Sequence, residues 1–318
     1  MQATGSRMIV LLLVALGLGL AVLAVFGTDW AAMGAAISGL HLWQLAVLLA
    51  LSAANYLLRA ARWRLCVRAL GLRTTAWQDI LTYMAGFGLT LTPGRLGELV
   101  RLRWLRRDSG APLKRIAPMA LVDRASDLLA VALLLALAVA LASGLGRAAP
   151  VALLAAVVAI AATRPRLLMA LAGLGWRLTG RAGGRIARLF ATLRHAARQL
   201  AVFSAPRIAI PVITIGMLGW FAEGYAFYLL LGWMGAPIEI WLAVGIFVFA
   251  MLGGGATGLP GGLGGAEAAL LALLGLVGVP LAIGLPATLI IRATTLWFAI
   301  LIGLVLLPFA ERARKGAD

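Results

Sequence analysis

The sequence predicts an all-α polytopic membrane protein built as two inverted repeats, and three observations carry that prediction. Hydrophobic residues make up 63% of the 318-residue chain and charged residues only 12%, a balance far from that of soluble domains. Apolar runs near the ~20 residues a spanning helix needs recur along the whole length. Short, Pro/Gly-containing motifs appear twice at matching spacing. One transmembrane domain over 1–318 follows, with repeat one at about 1–145 and repeat two at about 146–310.

The first run, 8–26, follows Arg7 and is long for the apolar core of a signal peptide. With more spans behind it, it reads as a retained first helix. Runs at 42–58, 118–143, 148–163, 208–234 and 281–308 are the other uninterrupted candidates. Two further apolar regions, 77–106 and 240–279, are broken in the middle by Pro and Gly. Each reads as two short helices meeting at a turn, a re-entrant hairpin that dips into the bilayer and returns. A kinked full span is the other reading open to them.

Between the repeats, the connector 164–207 is long and basic. Ile186, Phe190, Leu193, Ala197 and Leu200 recur every three or four residues, while Arg181, Arg185, Arg188 and His195 trace another face. That pattern predicts an amphipathic helix on the cytoplasmic leaflet, its arginines among anionic lipid headgroups. A surface tether with no substrate role satisfies it.

The formal charge of +17 does not indicate a nucleic-acid partner, because the basic residues sit in the short segments between apolar runs. Of 28 Lys and Arg, Arg147 is left outside, and Arg95, Arg124 and Arg292 fall within the membrane. The rest, including the clusters Arg59–Arg73, Arg101–Arg115 and Arg164–Arg207, lie on one side if the broken regions return to their own side. Both termini are then cytoplasmic. The single cysteine, Cys66, has no disulfide partner in the chain and reads as a small embedded side chain. Gly17 and Gly19 allow close helix packing but name no partner, so the sequence leaves the oligomeric state open.

The motif P-G-R-L-G-E at Pro93–Glu98 returns as P-G-G-L-G-G-A-E at Pro260–Glu267, and R-A-S-D-L at Arg124–Leu128 returns as R-A-T-T-L at Arg292–Leu296. Each half then holds three spans and one broken hairpin. Three crossings are an odd number, which inverts the second half relative to the first. A Pro-Gly turn leaves backbone groups that lipid cannot satisfy, so such turns face protein or a polar cavity. Pro93, Gly94, Gly97, Pro260, Gly261 and Gly264 are therefore expected in the wall of a cavity.

Ionisable residues concentrate near these turns: Arg95, Glu98, Asp123, Arg124, Asp127, Glu223, Glu267 and Arg292. Each costs on the order of ~3 kcal/mol at the centre of a membrane helix unless it is partnered. Asp123 and Asp127, four apart, share a helix face, and Arg124 lies about a quarter-turn away. Two readings stand: a static salt-bridge network joining the repeats, or a substrate site. Arg95, Arg124 and Arg292 suit a phosphate, which a guanidinium binds through paired hydrogen bonds. Glu98, Asp123, Asp127, Glu223 and Glu267 could neutralise them, hold a cationic headgroup or carry protons.

The inventory for catalysis is thin. Only His41 and His195 occur, and no metal-ligand cluster, nucleotide loop or Ser-His-Asp arrangement appears. The expectation is a protein that is not an enzyme and needs no cofactor or metal.

At "TPGRLGELVRLRWL", "LVDRASDLL" and "GLPGGLGGAEAAL" with "LIIRATTLW", the chain resembles the lysylphosphatidylglycerol synthase transmembrane, or flippase-like, family. The resemblance covers nearly the whole chain. No stretch here resembles the soluble aminoacyl-transferring domain, so the resemblance implies translocation of a lipid without its synthesis. It implies a multi-pass protein of a bacterial cytoplasmic membrane that moves a phosphate-bearing lipid or lipid-linked intermediate between leaflets. Arg95, Glu98, Arg124, Asp127, Glu223, Glu267 and Arg292 are the expected substrate-binding residues. An ion-coupled small-solute transporter on the same inverted-repeat plan is the alternative.

Overall fold

The computed structural model describes residues 38–92, 97–142 and 203–312, with the single positions Gly34, Val157, Met169, Ala170, Gly173 and Leu174. The expected spans 8–26 and 148–163, the amphipathic connector helix around 181–200, and Pro93, Gly94 and Arg95 lie outside the described residues.

The described chain is helical, with no strand among the described residues. In order it forms α1 (Leu42–Ala69), α2 (Ala76–Ala85), a 3-10 turn (Gly86–Leu89), α3 (Val100–Ser109), a single helical turn (Leu113–Ile116) and α4 (Pro118–Ala142). Then come α5 (Pro206–Trp233), α6 (Ile240–Ala256), a 3-10 turn (Pro260–Gly262), α7 (Gly265–Leu276) and α8 (Leu281–Arg292). A π-helical segment (Ala293–Trp297) leads into α9 (Phe298–Arg312). Among the described residues, four stretches are long and apolar enough to cross a membrane: Leu42–Ala69, Leu113–Ala142, Pro206–Trp233 and Leu281–Arg312. The protein is a multi-pass membrane protein.

Both broken regions fold as two short helices around a turn. Over 240–279, Glu239 caps α6 by accepting a hydrogen bond from the Leu242 amide at 2.8 Å, as an N-cap carboxylate does. The helix ends at Ala256, and α7 starts again at Gly265. Over 77–106, α2 gives way to the 3-10 turn, and α3 begins at Val100.

One expectation needs correction. The first described span was expected to end near 58, with Arg59 opening a cytoplasmic basic segment. Instead α1 continues to Ala69, and Arg59 and Arg62 are buried within it. Hydropathy scores a residue alone, whereas these two arginines have carboxylate partners that remove the cost of burial.

The chain divides into two compact units, neither contiguous in sequence. The first comprises Met1–Tyr56, Leu81–Val100 and Trp220–Asp318. There α6 packs along α7 so closely that a Cβ on Gly254 would lie 2.6 Å from that of Ala266. The 3-10 turn at Gly86–Leu89 packs against α9, and a Cβ on Gly88 would fall 2.9 Å from the Gly303 carbonyl carbon. Backbone meets backbone at this point, and no side chain larger than hydrogen fits on either strand of the contact. Phe227 and Phe247 pack as tilted rings with centroids 5.9 Å apart in the same unit.

The second unit comprises Leu57–Ile80 and Arg101–Gly219. Its core includes Trp63, Val67, Trp104, Leu105, Ile116, Met119 and Leu134. A Cβ on Gly216 of α5 would sit 2.8 Å from the Ala130 Cβ of α4, so these helices also approach closely. At the end of α1, Arg115 Nη2 donates to the Leu70 carbonyl at 2.6 Å. Arg64 Nη1 and Thr74 Oγ1 donate to Asp79 Oδ2 at 2.6 and 3.0 Å. Burial pushes the Asp79 carboxyl above its ordinary value, against the lowering effect of those two donors.

Candidate functional site: two buried ionic centres

The second unit holds the first centre. Arg59 and Arg62 are three residues apart on α1, and Asp123 and Asp127 are four apart on α4, so each pair lies on one helix face. Arg62 bridges the two carboxylates: Nη2 donates to Asp123 Oδ1 and Nη1 to Asp127 Oδ1, both at 3.0 Å. Arg59 Nη2 donates to Asp127 Oδ2, also at 3.0 Å. Arg101, at the start of α3, adds an ion pair to Asp123 at 3.8 Å. The Arg62 side chain is 1% exposed. Charges this deep persist only because each meets an opposite one with hydrogen bonds aligned. Arg124 is half-buried on α4, on a different face from the two aspartates.

The first unit holds the second centre. Arg292, the last residue of α8, is buried and reaches three elements at once. Its Nε donates to Glu267 Oε1 of α7 at 2.5 Å, its Nη2 to the Gly261 carbonyl at 3.0 Å, and its Nη1 to Met251 Sδ of α6 at 3.5 Å. One guanidinium therefore clasps both helices of the second hairpin and the turn between them. Glu267 Oε2 is buried and has no hydrogen-bond donor among the described residues.

The turn itself requires glycine. Gly261, Gly262 and Gly264 have φ of 63°, 69° and 80°, a left-handed backbone that costs other residues about 1–2 kcal/mol each. The position of a Cβ on Gly261 would be 3.2 Å from Leu296 and 3.4 Å from Leu91. Leu91 lies two residues before the first motif. The flanks of the two Pro-Gly motifs thus meet within this unit, against Leu296, Ile300, Leu263 and Trp297.

On the first-motif side, Thr90 Oγ1 donates to buried Glu98 Oε1 at 2.9 Å, and the Gly97 amide donates to Thr92 Oγ1 at 2.6 Å. A Cβ at Gly97 would fall 2.7 Å from the Leu89 carbonyl oxygen, so glycine is required there as well. Pro260 opens the second turn. Glu223 is buried on the later half of α5.

Beyond Arg292, the helix widens into its π-helical segment. Thr294 Oγ1 bonds back to the Ile290 carbonyl at 3.0 Å and Thr295 Oγ1 to that of Ile291 at 2.6 Å, which bends helices. The buried Tyr56 hydroxyl donates to the Thr295 carbonyl and, at 3.5 Å, to that of Thr294.

Of the residues expected from sequence, Glu267, Arg292, Pro260, Gly261 and Gly264 come together at the second turn. Asp127 joins Asp123 in the other unit. Arg95, Pro93 and Gly94 lie outside the described residues. Sequence reasoning missed Arg59, Arg62, Arg101, Tyr56 and Met251. The three-residue spacing of Arg59 and Arg62, set beside the four-residue spacing of Asp123 and Asp127, was the available signal for the first two.

Long apolar helices that carry buried, partnered charges and a glycine-only turn define a polytopic membrane protein with a polar interior. The chain belongs to the family described as the lysylphosphatidylglycerol synthase TM region, whose model matches residues 9–303. A comparison with curated proteins finds no match.

Proposed function

We propose that this protein is a lipid translocase that moves a phosphate-bearing membrane lipid or lipid-linked intermediate between leaflets. The observation that carries the reading is the approach of Leu91, in the flank of the first Pro-Gly motif, to Gly261 of the second, beside the Arg292–Glu267 pair, in a chain of this family. Backbone of this kind inside a membrane protein serves where it lines a polar path. Arg292 offers a fork of N–H donors matched to phosphate oxygens. Arg95, Glu98, Arg124, Asp127 and Glu223 are the further polar residues along the path. In this reading 77–106 and 240–279 are re-entrant hairpins of inverted repeats, and no covalent step, cofactor or metal takes part. The membrane is the bacterial cytoplasmic membrane, with both termini on the cytoplasmic side.

The test is movement of a fluorescent phospholipid across vesicles reconstituted with the purified chain. Protection of labelled lipid from an external quencher at the rate of empty vesicles would refute it. A small-solute transporter would leave lipid movement at background while accumulating anion. Orientation is checked separately. Cysteines at Asp29, Arg147 and Ala236, in a chain with Cys66 replaced, should react with an impermeant thiol reagent from outside, and one at Arg185 should not. Labelling at Arg185 in intact cells would overturn the inverted repeat.

A further inference from the structure

We propose that the exposed cationic face where α1 ends is a binding surface for anionic phospholipid, a resident lipid rather than a transported one. It is built from the second unit alone and holds whatever the chain moves.

Three segments are fastened together there. Gly71, at φ 64°, lets the chain turn directly after α1, and the Gly71 and Leu72 amides donate to the Arg68 and Val67 carbonyls, as at a left-handed helix end. Arg115 Nη2, from the helical turn before α4, donates to the Leu70 carbonyl at 2.6 Å. Arg64 Nη1 of α1 reaches the Thr74 carbonyl at 3.4 Å and Asp79 of α2 at 2.6 Å. The end of α1, the start of α2 and the Leu113–Ile116 turn therefore present their outer side chains as one surface. Arg68, Arg73, Lys114 and Arg115 are exposed on it. So are two large apolar groups, Trp77 at 67% and Leu113 at 50%.

The charge of this face has no answer within its own unit. Every exposed ionisable residue described in the unit is a cation. Its described acids are already engaged: Asp79 by Arg64, Asp108 by Arg107, and Asp123 and Asp127 by Arg59, Arg62 and Arg101. Residues 143–202 of the unit, outside the described residues, carry arginines and no Asp or Glu. An external anion supplies the counter-charge.

The position and the apolar groups say which anion. Because α1 is a span, its end brings these cations to the level of lipid headgroups, where juxtamembrane Lys and Arg attract anionic lipid. Trp favours the same interface, its ring in the apolar boundary and its N–H among the headgroups. Exposed Leu113 beside Lys114 gives the second half of that pattern, an acyl contact next to a phosphate contact. A phosphodiester held by Arg73 and Lys114 would tie the end of α1 to the start of α4. Under the proposed topology the lipid is one of the cytoplasmic leaflet.

The test uses the full chain in phosphatidylcholine vesicles, with spin-labelled phosphatidylglycerol and phosphatidylcholine as probes of lipid held at the protein surface. The wild type should prefer phosphatidylglycerol by at least about twofold, and the preference should collapse in high salt. Arg68→Gln, Arg73→Gln and Lys114→Gln together should remove most of it. Arg68→Lys with Arg73→Lys should keep it, which guards against loss of fold in the neutral variant. A control that removes as many charges from the connector, Arg181→Gln, Arg185→Gln and Arg188→Gln, should lose less. No preference in the wild type, or an equal loss in the connector control, overturns the proposal. A preference that survives in the neutral variant also overturns it and leaves the face to a soluble acidic partner.

Discussion

Arg124–Leu128 and Arg292–Leu296 read almost alike, R-A-S-D-L against R-A-T-T-L, yet they assemble opposite chemistry. In the first copy the helix supplies the acids: Asp123 and Asp127 accept from arginines on α1. In the second the helix supplies the arginine, and the acid comes from the hairpin. The first copy links one span to another through Arg62, with both carboxylates engaged. The second links a span to a glycine-only turn through one arginine, Arg292, which reaches Glu267, Met251 and the Gly261 carbonyl. Where the first copy has Asp127, the second has Thr295, whose hydroxyl bonds back to Ile291 in the widened helix. One exchange of Asp for Thr separates a rung of an ion-pair ladder from a bend. The centre whose two carboxylates each meet two arginines suits a scaffold, and, under the proposed function, the single Arg292–Glu267 pair suits exchange with a ligand.

The most disruptive way to probe that contrast is to write the second copy into the first. Asp127→Thr removes the shared acceptor of Arg59 and Arg62 and should cost roughly 3–5 kcal/mol, as loss of one partner from a buried pair does. Thermal unfolding in detergent checks it; a melting temperature near that of the wild type would show that the first centre holds nothing together. Next, Gly303→Ala places a methyl group against the backbone of the 3-10 turn at Gly88 and should cost about 1–3 kcal/mol or more by overpacking, measured in the same way.

A third variant sharpens the functional half of the comparison. Arg292→Met alone leaves Glu267 buried without its counter-charge, but Arg292→Met with Glu267→Leu replaces the pair by apolar groups. The double variant should melt within about 1–2 kcal/mol of the wild type and fail to move lipid in vesicles. Full transport by that variant would return the second centre to the scaffold. The smallest effect is expected from Tyr56→Phe, which withdraws one hydroxyl from the π-segment carbonyls at a cost of about 1 kcal/mol. An unchanged melting curve there would mean that the widened helix holds itself open.

The four described spans, the two broken regions and the shared face of Asp123 and Asp127 were legible because hydropathy, proline, glycine and helical spacing are local signals. The engagement of Arg292 with Glu267 was foreshadowed only as one of two readings of the buried charges. What escaped was the part that depends on distant partners. Arg59 and Arg62 look like loop arginines until the carboxylates of α4 are set beside them, because a burial cost summed residue by residue omits its compensation. Tyr56 and the π-helical segment escaped for a related reason. A threonine pair within an apolar run is an ordinary sight, and its carbonyls matter only once a phenol on another helix is found to meet them.

The contact between Gly88 and Gly303 also bears on how the molecule is made. The 3-10 turn at Gly86–Leu89 closes against a helix that leaves the ribosome long after it. Until α9 has been synthesised and inserted, the 3-10 turn at Gly86–Leu89 lacks the surface on which it rests, in a solvent that cannot satisfy open backbone. Long-range closure of this kind is slow and leaves an intermediate open to misassembly. The early part of the chain must therefore wait, partly built, for a much later helix, and a nascent chain stopped short of residue 303 carries a turn with nothing to close on.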